Sequence, residues 1–441
     1  MSPTATRTSD YQAQFEAFES GLSVNGSGWL HQHRKAALAR FQELGFPTAR
    51  RGNEAWKYTN VAPIARGVFA LAANGREPSV TPADVRRLAP DARGWTRLVF
   101  VDGRFAGSLS SPPRNDGVRV ANLAEAAVTD RDLVERHLTR HAGYDDEAFT
   151  ALNTAFLRDG AFIGLERGQT IDDAVHLVFV ATGREATVAN PRVLIVAREE
   201  SRATIVESYV SLGDAARFTN AVTEIALEPG ATVDHYRLAL ESPATYHVGL
   251  TRASLGRDAT LNSASITLGA ALVRHDLGVS LDGPGASCRL NGLYAARDSQ
   301  HVDNHTFIDH ASPHTTSRQY YKGVVDGESR AVFSGRVLVR PGAQHADAQQ
   351  TNRNLVLSQG AEVDTKPSLE IFADDVRCSH GATAGHLDED AVFYLRSRGL
   401  DEDTARGVLV RGFVQEIIDT IGLNAVRAFT TRLFAASMAD A

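Results

Sequence analysis

The run SRATIV at Ser201–Val206 returns in kind as PGATVD at Pro229–Asp234, RDATLN at Arg257–Asn262 and PGASCR at Pro284–Arg289. In each, an alanine leads into a β-forming stretch, and the four alanines, Ala203, Ala231, Ala259 and Ala286, are 28, 28 and 27 residues apart. A weaker echo follows in SRAVFS at Ala331 and QGAEVD at Ala361, 45 and 30 residues further on. Self-similarity on this scale marks a solenoid, in which each coil buries its inner face on its neighbours. From about Trp95 to Ala373, short β-rich runs such as RLVFVDG, HLVFVATG, ATIVESYV and RVLVRPG alternate with tight turns, and a helical period is missing over long distances. A parallel β-helix accounts for this better than a sandwich, because small and β-branched residues stack inward coil on coil while Gly and Asp turn the corners. Roughly ten coils at about 4.8 Å each predict a rod on the order of 50 Å long. The open ends of such a rod expose unpaired strand edges, which must be capped or used for pairing with another chain.

The flanks read as helical, giving three regions: an N-terminal helical region at 1–92, a β-helix core at 93–375 and a C-terminal helical region at 376–441. In the first, Ser27 is placed to N-cap a helix in which Leu30, Ala37, Leu38, Phe41 and Leu44 share one face until Gly45 and Pro47 stop it. Trp56 and Tyr58 follow among charges in RRGNEAWKYTNVAP, Arg51–Pro63, which reads as a segment that docks on the body through its aromatics. In the last region, Asp401 N-caps a helix with Leu409, Phe413, Ile417 and Ile421 on one face, and Val410, Val414 and Ile418 widen that stripe. Core packing accounts for most of the stripe, and part of it is available to a partner. A final helix over Leu423–Met438 buries Val426, Phe429, Leu433 and Phe434. These helices are expected to cap one end of the rod.

Composition narrows the function. The chain has 441 residues, a net charge of -7 and 22% charged residues, an ordinary soluble composition without a basic footprint for nucleic acid. The start has no apolar leader core, and no run is long enough to span a membrane, so a cytoplasmic protein is expected. Two cysteines, Cys288 and Cys378, do not make a disulfide framework and suit a reducing compartment. Of four lysines, Lys35, Lys57, Lys322 and Lys366, none completes the Gly-Lys-Ser/Thr of a phosphate-binding loop. NGSGWL at Asn25–Leu30 lacks the strand that a dinucleotide fingerprint requires.

Two places could carry chemistry. In SQHVDNHTFIDHASPHTTS, Ser299–Ser317, His301, Asp303 and His305 alternate on one strand face, with His310 and His314 beyond. Imidazoles and carboxylates can hold iron, zinc or manganese, but side-chain ladders that stabilise solenoid turns use the same residues. In DDVRCSHGATAGH, Asp374–His386, Cys378 and His380 offer a thiolate and an imidazole suited to iron–sulfur chemistry, yet one cysteine cannot complete a cluster. A Cys–His nucleophile pair at this spacing would need a bend. The residues alone favour a buried turn.

LEIFADDVRCSHGATAGHLDEDAVFYLRSRGL, Leu369–Leu400, resembles the C-terminal signature of the SufB/SufD family, scaffold proteins of the SUF iron–sulfur cluster assembly machinery. HASPHTTSRQYYKGVVDGESRAVFSGRVLV and QQTNRNLVLSQGAEVDTKPSLEI are similar to the same family, so the resemblance covers nearly the whole chain. NEAWKYTN at Asn53–Asn60 resembles the SufD branch. The SufB branch carries Glu-His-Glu where this chain has Ser379, His380 and Gly381.

The resemblance implies a right-handed parallel β-helix with helical flanks and a heterodimer with a SufB-like paralogue. It also implies a SufC-like ABC ATPase bound at the C-terminal helices, where Leu409, Phe413, Ile417 and Arg398 are the candidate contacts. It implies further that His380, with Cys378 as a neighbouring candidate, helps hold a transient iron–sulfur cluster shared with the SufB-like chain, and that His386 is peripheral. No nucleotide is expected on this chain, which is expected to be a non-catalytic scaffold. Use of a reduced flavin and homodimerisation when the paralogue is scarce stay open. The alternatives are a SufB-like member, a carbohydrate-active β-helix and a stand-alone metalloprotein using His301, His305 and His310.

Overall fold

A computed structural model describes residues 5–22, 28–49, 53–71, 80–111, 118–182 and 186–439. Ser27, the expected N-cap, lies outside them.

Two sheets of parallel strands face each other across one core. The first runs Gly160–Leu165, Arg192–Ala197, Arg217–Leu227, Thr245–Leu255, Leu272–Leu281, His301–His310, Arg330–Val339 and Glu362–Ile371. The second runs Thr96–Val101, Val175–Ala181, Arg202–Ser211, Thr232–Leu240, Thr260–Thr267, Ser287–Ala296, Thr316–Val325, Asp347–Val356 and Arg377–Gly385. The chain alternates between sheets, and each strand bonds to the strands one coil before and after it. The pair Val175–Ala181 and Arg192–Ala197 opens the solenoid, and six further pairs end with Asp347–Val356 and Glu362–Ile371. That makes about seven coils (1 + 6), not ten. The β region from Trp95 is shortened because Leu123–Thr129, Arg131–His137 and Ala148–Ala155 are helices packed on the first coils.

Register explains the repeat. Arg202, Thr232, Thr260, Ser287, Thr316, Asp347 and Arg377 are successive partners. One residue ahead of three of them, Ala231, Ala259 and Ala286 stack with no exposed surface, whereas Ala203 lies two positions further on, opposite Val233. The 45-residue gap to Ala331 is a coil and a half, because Ala331 lies in the opposite sheet.

The N-terminal helix Gly28–Leu44 buries Leu30, Ala37, Leu38 and Phe41 as its spacing predicts, and Gly45 ends it with φ 64°. The C-terminal helices Glu402–Ile418 and Asn424–Ala439 pack against the outer flank of the second sheet, through Leu293, Val324 and Leu355 for the former and Tyr236, Leu238 and Ile266 for the latter. Lys322 fixes this arrangement. Its ammonium, 2% exposed, donates to the Phe413 carbonyl at 2.7 Å, pairs with Glu416 and lies 4.4 Å from the Phe413 ring centre. The expected cap is therefore a side buttress. The last strands, Glu362–Ile371 and Arg377–Gly385, each end a sheet with one edge free. The solenoid also runs past the expected boundary at 375, since Arg377–Gly385 is its last strand.

Buried histidines tie this fold to pH. His310, fully buried, is held by Thr315 Oγ1 and Ser317 Oγ, both at 2.8 Å, and burial pulls its pKa down to about 4; burial pulls that of His176 to about 3. Each starts from 6.5 in the unfolded chain, so below that pH unfolding takes up protons that the folded protein does not bind. The stability they contribute is complete above 6.5 and is lost as pH falls from there to about 4 for His310 and about 3 for His176. The unfolding free energy from urea titration is expected to be flat above about pH 7 and to fall steadily below 6.5, with a slope reduced in His310→Gln by about 1.4 kcal/mol per pH unit.

Candidate functional site: the open end of the solenoid

Strand Arg377–Gly385 pairs in parallel with Asp347–Val356 and, among the described residues, has no strand on its other side. Its inward residues follow from register. Cys378 lies on Ala348 and His380 on Gln350, both buried, whereas Arg377, Ser379 and Thr383 alternate to the outside. Cys378 therefore ends an inward column running Ala203, Val233, Leu261, Cys288, Ser317, Ala348, and His380 ends one containing Leu290, Gln319 and Gln350. Both side chains face the mouth of the core at its uncovered end.

Their surroundings differ. Cys378 is half-buried against the apolar core, and that burial pushes its thiol pKa up; an Ala348 backbone hydrogen bond opposes the shift and the Asp347 charge adds to it. This thiol is not primed as a nucleophile. His380 is exposed above Gln350, whose amide donates to Gln319 Oε1 at 2.7 Å while its own oxygen has no partner. Two residues along a strand, the sulfur and the ring cannot close a coordination shell. Among the described residues no three His, Cys, Asp or Glu side chains converge on one point. The motif is thus an exposed strand, not the buried turn that the residues alone favour. His386 stands to one side, its Nδ1 3.0 Å from the Val356 carbonyl. On the companion edge Ile371 and Phe372 are exposed, 61% for the phenylalanine.

The second histidine group is structural. His301, Asp303 and His305 share the outer face of the first sheet, and the aromatic segment at 53–61 docks on it. Thr59 Oγ1 meets His301 Nε2 at 2.9 Å and Asp303 Oδ2 at 2.5 Å; Arg274 bonds Asp303 at 2.6 Å and the Ala55 carbonyl at 2.8 Å, with Trp56 stacked 3.8 Å from its guanidinium. Desolvation works against the Asp303 charge, but Arg274 and His305 outweigh it and hold the carboxyl well below its usual range. His310 points the other way, into the core. The three histidines therefore cannot serve one metal, and the stand-alone metalloprotein built on them is set aside.

The expected ATPase contacts are only partly available. Ile417 is buried, and Leu409 and Phe413 pack into the same cluster against the solenoid, so the stripe they share is mainly core. Arg398 is exposed and donates to the Tyr394 hydroxyl at 3.3 Å. The exposed apolar side chains here are Phe393, at 72%, Tyr394 and Val408, which the sequence reading missed. Their signal was an FY pair beside the buried Val392 on a short helix, Glu389–Ser397.

These features define a β-solenoid whose last strand carries a thiol and an imidazole at an edge left free among the described residues. The chain matches the "SUF system FeS cluster assembly, SufBD core domain" over residues 179–413 and the "SufBD protein N-terminal region" over 5–177. It is similar to the iron-sulfur cluster assembly protein SufD of Escherichia coli, 34% identical over 87% of each chain. It is also similar to an iron-sulfur cluster assembly SufBD family protein of Synechocystis, 33% identical over 93% of this chain and 90% of that one, and to SufD of Bacillus subtilis at 26% over 90% and 92%. The chain belongs to the SufBD family of iron–sulfur cluster assembly proteins. No helix among its described residues is long and apolar enough to cross a membrane.

The environments of the two thiols make a direct check. Iodoacetamide is expected to modify Cys378 slowly near pH 7.5 and faster above about pH 9. Cys288, fully buried with its thiol pushed up to about 12, is expected to react only after unfolding. Peptide mass spectrometry reads both.

Proposed function

We propose that this chain is a SufD-like scaffold subunit whose free strand edges pair with a SufB-like paralogue, and that a nascent iron–sulfur cluster is assembled where the two chains meet. The observation that carries this is the coincidence of the unpaired strand Arg377–Gly385 with Cys378 and His380 at the same open end. A free strand edge is a template for another chain, and a ligand set too small to close suits cargo that must leave. In this account His380 supplies one ligand and the paralogue those that this chain lacks. Cys378 serves as a second ligand or a sulfur acceptor once the interface removes its present packing.

A SufC-like ATPase supplies the energy, since this chain lacks a phosphate-binding loop. The exposed surface around Phe393, Tyr394, Arg398 and Val408 is its docking site, buttressed by the helix that Lys322 holds to the solenoid. ATP-driven closure of that partner strains the helical flank and shifts the two solenoids, reshaping the interface where iron and sulfur combine.

Anaerobic iron and acid-labile sulfide content, measured on the chain alone and after co-expression with SufB-like and SufC-like partners, tests this account. Equal iron and sulfide only in the complex is expected, with His380→Ala abolishing the cluster while leaving the complex intact; iron and sulfide unchanged in His380→Ala would contradict the assignment. The edge has its own test. The Arg377 amide bonds the Ala346 carbonyl, so by alternation the Ala382 amide points to the free side. Ala382→Pro is expected to leave the lone chain folded and to sharply reduce recovery of the SufB-like partner.

A further inference from the structure

A second feature lies at a corner of the last coils, two residues ahead of the paired strand starts. Register stacks Glu200, Gly230, Asp258, Gly285, His314, His345 and Asp375 there, one per coil. The turn needs left-handed backbone: φ is 58° at Glu200, 71° at Gly230, 56° at Asp258, 76° at Gly285, and 60° at both His314 and His345. Gly takes this conformation without strain, whereas a side chain with Cβ is disfavoured there. Four of these left-handed residues carry a Cβ, Glu200, Asp258, His314 and His345, and the two histidines are the ones on consecutive coils that continue to Asp375.

Their side chains are not held by burial. Both are exposed, their rings stack with centres 4.7 Å apart, and His345 Nδ1 lies 3.0 Å from Asp375 Oδ2, itself largely exposed. What sets them apart is that two exposed imidazoles and an exposed carboxylate lie against one another. The column places two imidazoles and a carboxylate on successive coils, and Asp375 lies three residues before Cys378. Two histidines and one carboxylate on one side of an ion, with its other positions open, form a donor set suited to ferrous iron and to an ion that has to be passed on. In the structure the three side chains do not yet aim at a common point. Being exposed, they can turn about their side-chain bonds to do so.

We propose that His314, His345 and Asp375 form a surface site for one divalent transition-metal ion, ferrous iron in the working protein, at the corner beside the open end. The choice of iron rests on the scaffold reading above; the site itself does not.

The test is anaerobic calorimetric titration of the metal-free full chain with Co(II) and with Fe(II). One equivalent of each is expected to bind, with Co(II) giving the visible absorption of nitrogen and oxygen ligation. The double variant His314→Asn/His345→Asn, which keeps residues tolerant of positive φ, is expected to weaken binding at least tenfold with the melting temperature unchanged or raised. His345→Gly provides a second fold-compatible variant with the same expectation. His380→Ala is expected to bind the ion normally, so failure of the scaffold reading and failure of this one are distinguishable. Absence of stoichiometric binding, binding untouched by the double Asn variant, or loss of the fold in both variants would overturn the proposal, the last by assigning the histidines to structure.

Discussion

Every coil of this protein depends on the coil beside it. In a parallel solenoid the amides and carbonyls of a strand are satisfied by the strands one turn before and one turn after, so pairing is complete everywhere except at the ends. At the N-terminal end, antiparallel strands and helices cover the first coils. At the other end nothing comparable among the described residues lies over the last strands, because the C-terminal helices are drawn to the flank by Lys322 and by the apolar outer face of the second sheet. The proposed interface lies where this hydrogen-bond ladder stops.

The same ladder positions the chemistry. Period-two alternation turns Cys378 and His380 toward the mouth of the core, and turns His301, Asp303 and His305 to the outside, where they anchor the aromatic segment around Trp56. The two histidine-bearing stretches look similar as sequence and do different work, because one lies mid-sheet under a docked segment and the other on an edge that is left free.

Much of this was legible in the sequence. The alanine repeat revealed the solenoid because Ala231, Ala259 and Ala286 stack at one corner, and the helical stripes at Leu30–Phe41 and Val426–Phe434 identified their buried faces. The coil count was too high because the short helices between Leu123 and Ala155, each only two turns or so, carry too little periodicity to separate from the β runs. The last strand was missed because RCSHGATAG is built from small residues with little β-propensity and is held by its neighbour's register. The C-terminal stripe showed that the helix is buried, but not whether it covers the end or the side; the Lys322–Glu416 contact, 94 residues apart in sequence, decides that.

The central claim, that the open edge is completed by a second chain, is tested most directly by hydrogen exchange at the outward amides of Cys378, His380, Ala382 and Ala384. Exchange is expected to be fast in the lone chain and strongly slowed in the complex with a SufB-like partner, while the amides of Asp347–Val356 remain protected in both. Equally fast exchange at those four amides in the intact complex would contradict edge pairing and the shared site built on it.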